Sequence, residues 1–513
     1  MNAIIQNDEN SGMTTALHNQ SPFAQSFSAD LGSPVALFHK LSKSEDFSFL
    51  FESTEGDARL ARYSFLSTDP CLTVKFDHGV VTVQSKDAKP LEEALDNPID
   101  FLRTKLAAFR RAIEGKAVDG KTLQEANKEE SAFSTFLRNH DNLPFLGGFV
   151  GYMGYGACAY TEKIPQQKND VLNVPDGYYG LYDAVAVFDH QYRRVTILSL
   201  RGREHVEQLV QKILAGSDLK PLPIDNTKLT KKEVYETVST SVKKDTYIGS
   251  VERAKEFVRE GQAFQVVVAQ RFSLPTTADP IDIYRMLQAT NPSPYAYFLK
   301  YPEFVYLGSS PETFVQSQDG NLMLRAIAGT RKRGLDAAQD LLLQQELKSD
   351  EKEMAEHRML VDLGRNDLGR VSTAGTIKVG DLACLTKYTH VMHLETEIRG
   401  TLSPDHDMFD AFQSCFPAGT VSGAPKVRAM ELLSELETER RGIYSGAVGY
   451  FDWRGSMDGA IAIRSALIKD SVVHVNAGGG IVYDSQPELE FEETRNKAMS
   501  VLQAVKLAER AGK

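Results

Sequence analysis

The sequence predicts an α+β fold with large antiparallel β-sheets, and three observations lead there. From about Pro34 to Leu200, short β-rich runs such as "CLTVKF", "VVTVQ" and "AVAVFDHQYRRVTILSL" alternate with Gly and Asp turns, as hairpins do. Beyond about Val234, helical stretches ("YIGSVERAKEFVREGQ", "PKVRAMELLSELETE", "EETRNKAMSVLQAVKLAER") mix with strand-like ones ("FQVVVAQRFSL", "GAIAIRSALI", "VVHVNAG"). The two kinds do not alternate strictly there, which argues against a doubly wound parallel sheet.

The 513 residues, 42% hydrophobic, suffice for one large or two ordinary domains. Residues 1–29 are polar and read as an amino-terminal tail, and residues 30–215 as a first unit. Residues 216–233, "GSDLKPLPIDNTKLTKKE", combine Pro, Gly and Lys without periodicity and read as a linker to a second unit, 234–513. A formal charge of −11 opposes non-specific adhesion to nucleic acid. Cys71, Cys158, Cys384 and Cys415 form no CxxC or Cys/His cluster, so neither a disulfide scaffold nor a zinc site is indicated, and a reducing cytoplasm fits. No apolar run approaches the roughly 20 residues of a spanning helix, and the first residues lack the pattern of an export signal.

One motif is a decoy. Gly115 to Thr122, "GKAVDGKT", satisfies the phosphate-loop pattern, but no buried strand delivers it and no apolar helix follows. It reads as an exposed loop.

The chemistry concentrates elsewhere. In "KSDEKEMAEHRMLVDLGRNDLGR", Glu353 and Glu356 are three apart and share a helix face, with His357 beside them; the same rows run on into Leu360 and Leu363, which points to partial burial. Glu490 and Glu493 repeat the spacing, although Ser485 and Glu488 also make a capping-box pattern in which acids favour the first turn. Two carboxylate-bearing helices suit a magnesium ion, which takes a few protein oxygens and leaves its other positions to water and an anionic ligand. Spacing alone leaves solvated surface pairs as the alternative. "CFPAGTVSGAPKVRAMELL" offers backbone N–H groups and the hydroxyls of Thr420 and Ser422, and "NAGGGIVYD" places Gly478, Gly479 and Gly480 directly after a strand, where amides can form an anion nest; for each, a tight turn is the alternative. Arg464, alone in the apolar run "AIAIRSALI", is either an edge residue or a buried carboxylate clamp, and its setting favours the clamp.

Together with "NPSPYAYFL", "GSSPETFV", "AIAGTRKRG", "LVDLGRNDLGR", "VMHLETEIRG" and "ETRNKA", these segments stand in the order found in the chorismate-utilising enzymes, which the second unit closely resembles. Within them the resemblance is to the large-subunit (component I) family of anthranilate synthase, and "LFES" and "FLGGFVGYMGY" extend it into the first unit. The resemblance implies a sandwich of the two sheets with helices outside, and magnesium held by Glu356 and Glu493 with Glu353 and Glu490 as same-face companions. It implies substrate contacts at Gly329, Thr330, Thr420, Tyr444, Arg464 and Gly478 to Gly480, an acid at Glu312 that protonates the departing ring hydroxyl, and His393 near the leaving pyruvyl group.

Sister enzymes differ in the nucleophile. Those that add water resemble "KVVLAR" where this chain has "QVVVAQ", so Gln265 replaces their lysine base. A neutral amide cannot deprotonate water, whereas ammonia attacks as it is. Ala328 replaces the nucleophilic lysine typical of aminodeoxychorismate synthase. The implied reaction is amination of chorismate followed by loss of pyruvate to give anthranilate. An aminodeoxyisochorismate synthase, which stops before pyruvate loss, and a catalytically dead binding subunit are the alternatives; His393 argues against the former and the set of competent residues against the latter. No glutaminase signature is visible, so the resemblance implies a hetero-oligomer with a glutamine amidotransferase subunit. It also implies tryptophan inhibition at a site between the units, with Glu52, Ser53, Pro294, Tyr295 and Ala296 matching it, Ala296 in place of the usual methionine.

Overall fold

The computed structural model describes residues 21–43, 45–53, 62–86, 88–114, 132–165, 169–224, 229–388 and 391–512. The phosphate-loop decoy at Gly115 to Thr122 lies outside them. Two twelve-stranded sheets form the molecule, and every strand pairing among the described residues is antiparallel.

Both sheets are built from both halves of the chain. In the first sheet Ser48–Glu52 pairs with Tyr295–Lys300, with Glu52 opposite Ala296 and Ser48 opposite Lys300. In the second, Gly148–Met153 pairs with Ala447–Asp452, with Tyr152 opposite Val448. Of the stretch expected to link the units, residues 216–224 and 229–230 lie outside both sheets and residues 231–233 begin the helix Lys231–Tyr235.

Strand alternation divides the first sheet's side chains between two cores. Phe49, Tyr297 and Leu299 point into the core shared with the second sheet, whereas Leu50, Ala296 and Phe298 point into a core roofed by helices Pro34–Ser42, Pro280–Thr290 and Pro487–Ala511. Helices Pro98–Glu114, Glu351–Gly369 and Met408–Cys415 pack on the second sheet.

Three local readings differ from the sequence expectation. Residues Phe23–Ser28 of the expected tail form an edge strand on Arg194–Ser199, because Phe23 and Phe27 pack against the helix-roofed core. "GAIAIRSALI" is two strands: Met457–Ile461 belongs to the second sheet and Ser465–Lys469 to the first, and the chain crosses between sheets at Ala462 to Arg464, with Arg464 at φ 51°. Ser485 is not a helix cap; its hydroxyl accepts from the Val482 N–H at 3.1 Å.

The single tryptophan, Trp453, sits on the seam between the halves. It is 3% exposed, its backbone N–H donates to Gly147 O at 3.2 Å, and its ring lies 6.0 Å from that of Phe133. Since strands from both halves share each sheet, neither half keeps a complete sheet alone. Tryptophan fluorescence and far-UV circular dichroism should therefore report one coincident thermal transition; two separated midpoints would show that the halves unfold independently.

Candidate active site

The site is organised by the antiparallel pairing of Gln265–Pro275 with Val472–Ile481, in which Val267, Val268 and Ala269 face Gly480, Gly479 and Gly478. The glycines lie inside the strand rather than after it, so their amides belong to a ladder and not to a loop nest. Their missing side chains make room for other groups. A Cβ on Gly478 would stand 3.0 Å from the Tyr444 hydroxyl, one on Gly479 3.0 Å from Glu490 Oε2, and one on Gly480 2.6 Å from Gln265 Nε2. Because successive residues face opposite sides, Tyr444 and Gln265 approach from one face and Glu490 from the other.

The first carboxylate pair lies on helix Glu351–Gly369. Asp350 caps it, accepting from the N–H groups of Lys352 and Glu353 at 3.1 and 3.2 Å. Glu356 Oε1 accepts from Gln265 Nε2 at 3.0 Å, which ties this helix to the glycine strand's partner. Glu353 is held by Arg331 at 3.2 Å, and the same guanidinium reaches Asp350 and Glu346 at 2.9 Å. Burial still raises the Glu353 pKa, with Arg331 opposing and Glu356 adding to the rise. His357 is fully buried, its Nε2 2.6 Å from Thr396 Oγ1, so it is part of the packing under the helix.

The second pair lies on helix Pro487–Ala511. Glu490 is buried and its pKa is raised by that burial, against the Ser485 hydroxyl and with help from Glu493. Lys497, one turn on, pairs with Glu493 at 2.6 Å and donates to Gly478 O at 2.9 Å. Lys352, on the first helix, opposes the rise at Glu490 electrostatically. Among the described residues, no three His, Cys, Asp or Glu side chains converge on one metal-sized position.

Glu312 follows strand Val305–Ser310 and is anchored through its carbonyl, which accepts from the Ile461 N–H at 3.1 Å. Burial pushes its pKa up to about 7, against the nearby Thr420 hydroxyl and the cations Arg464 and Lys497. Thr420 Oγ1 is itself buried with no partner at full hydrogen-bond geometry. Burial pushes the Arg464 pKa down, and the charges of Tyr444, Glu312 and Glu493 oppose the fall.

Gly329 supplies a third corner. The pairing of Asn321–Lys332 with Val391–Thr401 skips at Gly329, a bulge with φ 65° where a side chain would strike Leu347 Cδ1 at 2.8 Å and Glu353 Oε2 at 3.2 Å. The bulge frees the Gly329 carbonyl to accept from His393 Nδ1 at 3.1 Å, with Thr330 Oγ1 3.0 Å from the same nitrogen. A carbonyl only accepts, so Nδ1 carries the proton and Nε2 presents a lone pair. Burial lowers the His393 pKa and keeps the ring neutral.

A separate cavity of about 300 Å³ is lined by Glu52, Ser53, Pro294, Tyr295 and Ala296, all five residues assigned to the inhibitor site. Glu52 accepts from the Tyr284 hydroxyl at 2.6 Å, and burial lifts its pKa to about 7. The Tyr295 hydroxyl lies 3.1 Å from both Thr313 Oγ1 and Asp458 Oδ1. Sequence reasoning missed Arg331 and Lys497. The second had a signal, since Lys497 stands four residues after Glu493; the first did not, since Arg331 reaches acids on two helices from a strand that precedes them.

The family profile described as chorismate binding enzyme matches residues 91–503. Anthranilate synthase component 1 of Acetivibrio thermocellus is 38% identical over 506 residues, covering 96% of both chains. That of Pseudomonas aeruginosa is 38% identical over 512 residues, covering 96% of this chain and 97% of the other. Among solved structures, anthranilate synthase component I from Streptococcus pneumoniae superposes with a TM-score of 0.70 at 33% identity, covering 92% of this chain and 98% of that one. The menaquinone-specific isochorismate synthase of Escherichia coli shares the fold, with a TM-score of 0.62 at 19% identity over 98% and 99% of the two chains.

Glu312 gives a pH-dependent prediction. Its folded pKa is raised from 4.5 to about 7, so the stability contributed by the protonated form is fully present below pH 4.5 and is lost as pH rises through about 7. The loss is at most about 3 kcal/mol. Glu312→Gln, neutral throughout, should overtake wild type in thermal midpoint above pH 7; a midpoint difference that stays constant from pH 5 to pH 9 would show that Glu312 is not the titrating group.

Proposed function

The chain belongs to the chorismate-binding enzyme family, alongside the component 1 chains of anthranilate synthase, and on that premise we propose that it converts chorismate and ammonia to anthranilate and pyruvate in the cytoplasm, as the first step of tryptophan synthesis. The observation that carries the choice among sister reactions is Gln265. Its amide is 2% exposed, packed on Gly480 and hydrogen-bonded to Glu356, at the position where water-adding relatives carry a lysine base. A neutral amide there cannot take a proton from water, and ammonia needs none taken.

The remaining residues fit that chemistry in turn. Arg464 and Tyr444, beside the glycine strand, suit the substrate's carboxylates. Glu312 holds a proton near neutral pH and can give it to the departing ring hydroxyl. The His393 Nε2 lone pair is available to a proton moved during pyruvate loss, which favours the complete reaction over one that stops at amination.

Magnesium fits the donor set. Glu490 is buried and Glu353 half-buried, and the pKa of each is raised by loss of water and by a second carboxylate on the same helix, an excess of negative charge that a divalent cation relieves. Glu356 and Glu493 would hold it, with Glu353 and Glu490 as companions. When bound, such an ion neutralises a substrate carboxylate and draws charge toward it.

Ammonia would come from a glutamine amidotransferase subunit, which the name component 1 of the relatives supports by implying a second component. Tryptophan would bind the cavity at Glu52 to Ala296, where Glu52 suits an ammonium group and Tyr63, Phe65 and Tyr450 supply aromatic walls.

Purified protein given chorismate, magnesium and ammonium should release pyruvate and fluorescent anthranilate; absence of both would overturn the reading. Glu356→Gln and Glu493→Gln should each lower turnover about 100-fold or more with the thermal midpoint preserved, and wild-type rates would remove their ligand role. Saturating tryptophan should suppress the glutamine-dependent rate with the partner present; an unchanged rate refutes the inhibitor assignment.

A further inference from the structure

Strand Gln265–Pro275 is paired on one side along its length by Val472–Ile481, but on the other side only near its ends. Gln265 and Val266 face Ala424 and Gly423, and Phe272 and Ser273 face Thr240 and Ser239. Between them the ladder has a gap. Backbone groups left unsatisfied in such a buried gap would cost about 1–3 kcal/mol each.

Glu437 and Arg441 fill it. The Ala269 N–H donates to Glu437 Oε1 at 2.9 Å, and the Val267 carbonyl accepts from Arg441 Nη2 at 2.6 Å, so a carboxylate and a guanidinium replace the acceptor and donor of a missing strand. The guanidinium has five N–H donors, and all are committed. Nε and Nη2 hold Glu437 at 2.8 and 2.6 Å, Nη2 also holds Val267 O, and Nη1 holds Val421 O at 2.7 Å and Ser445 Oγ at 3.1 Å. Arg441 is 3% exposed, with its charge 4.6 Å above the centre of the Tyr155 ring.

Its partners are the neighbours of the site residues. Val267 lies two positions after Gln265 and opposite Gly480, Val421 lies between Thr420 and Ser422, and Ser445 follows Tyr444. We propose that Arg441, with Glu437, is a positioning residue that sets the Gln265 strand, the Thr420 turn and the Tyr444 loop in mutual register around the chorismate site. Only its kinetic consequence rests on the function proposed above. With every donor in use, the side chain has nothing left for a ligand and acts through the segments it joins.

Arg440 is a matched control. It is also buried in ion pairs, at 3.4 Å from Asp170 and with Asp176, but it bonds His78 and Asp176 in the first half of the chain and none of the three site segments.

The experiment compares Arg441→Lys, Glu437→Gln and Arg440→Lys by thermal unfolding, chorismate kinetics with ammonium, and amide hydrogen exchange. Lysine keeps the charge but cannot make the five-bond fork. At a temperature where all are folded, Arg441→Lys should lower kcat/KM about 10- to 100-fold, with KM raised, and Glu437→Gln should do the same to a smaller extent. Exchange should accelerate together in peptides covering 265–270, 418–423 and 443–446. Arg440→Lys should lower the thermal midpoint and leave kcat and KM within about threefold. Loss of stability in Arg441→Lys with unchanged kcat/KM, or faster exchange in only one of the three peptides, overturns the proposal. Wild type supplies an arm that needs no variant: the Ala269 amide should be protected although it points to the side where no strand pairs, and rapid exchange there overturns the proposal too. If wild type fails to turn over chorismate, the functional reading falls while the exchange arms still decide the role of Arg441.

Discussion

The ladder between Gln265–Pro275 and Val472–Ile481 is the constraint on which the rest of the site depends. It joins segments about two hundred positions apart and fixes which face each of Gly478, Gly479 and Gly480 presents. A slip of one residue would turn every side chain to the opposite face. Depending on its direction, the slip would put Ile481 in the place of Gly480 beside Gln265, or Ala477 in the place of Gly478 beside Tyr444. The register therefore determines more than strand stability. It decides which polar groups stand in front of the sheet and which are enclosed by the helix Pro487–Ala511.

Within that frame, burial and charge work against each other. Glu353, Glu490 and Glu312 are all pushed toward protonation by loss of water, and each is answered only in part: by Arg331, by the Ser485 hydroxyl, and by the Thr420 hydroxyl with Arg464 and Lys497. Carboxylates packed this closely on apolar elements destabilise a fold unless something positive joins them. Glu312 stands apart from the two helical pairs. No second carboxylate adds to its rise, which burial alone produces.

Much of this was legible in the sequence, for identifiable reasons. The helix pairs Glu353/Glu356 and Glu490/Glu493 follow from a spacing of three, and the antiparallel α+β class follows from hairpin-like runs without βαβ alternation. What the sequence hid depends on long-range register. "GAIAIRSALI" has the periodicity of one strand, and nothing local marks the crossing at Ala462 to Arg464 that puts its halves in different sheets. The glycine triplet reads as a loop because glycine is a poor strand former; only the approaching side chains explain its place inside a ladder. Arg331 and Arg441 look like ordinary basic residues until two helices bring Glu346, Asp350 and Glu353 to the first, and the Gln265 strand and Thr420 turn bring the Val267 and Val421 carbonyls to the second.

The two cavities are separate yet not independent. Tyr295 lines the cavity at Glu52 and lies against Thr313 and Asp458, while Thr313 directly follows Glu312. Asp458 belongs to the strand that ends at Ile461, whose N–H fixes the Glu312 carbonyl. Gln316 closes the set, donating to the Tyr295 hydroxyl and to Asp458, each at 3.0 Å. Moving Tyr295 therefore means moving a strand whose first residue adjoins Glu312, since a close-packed interior leaves little slack to absorb the shift. A ligand of that cavity can change the state of Glu312 only by as much as it prefers one arrangement of these bonds over another. The hydrogen bonds from Tyr295 to Thr313 and Asp458 are thus the place where such a preference would be expressed.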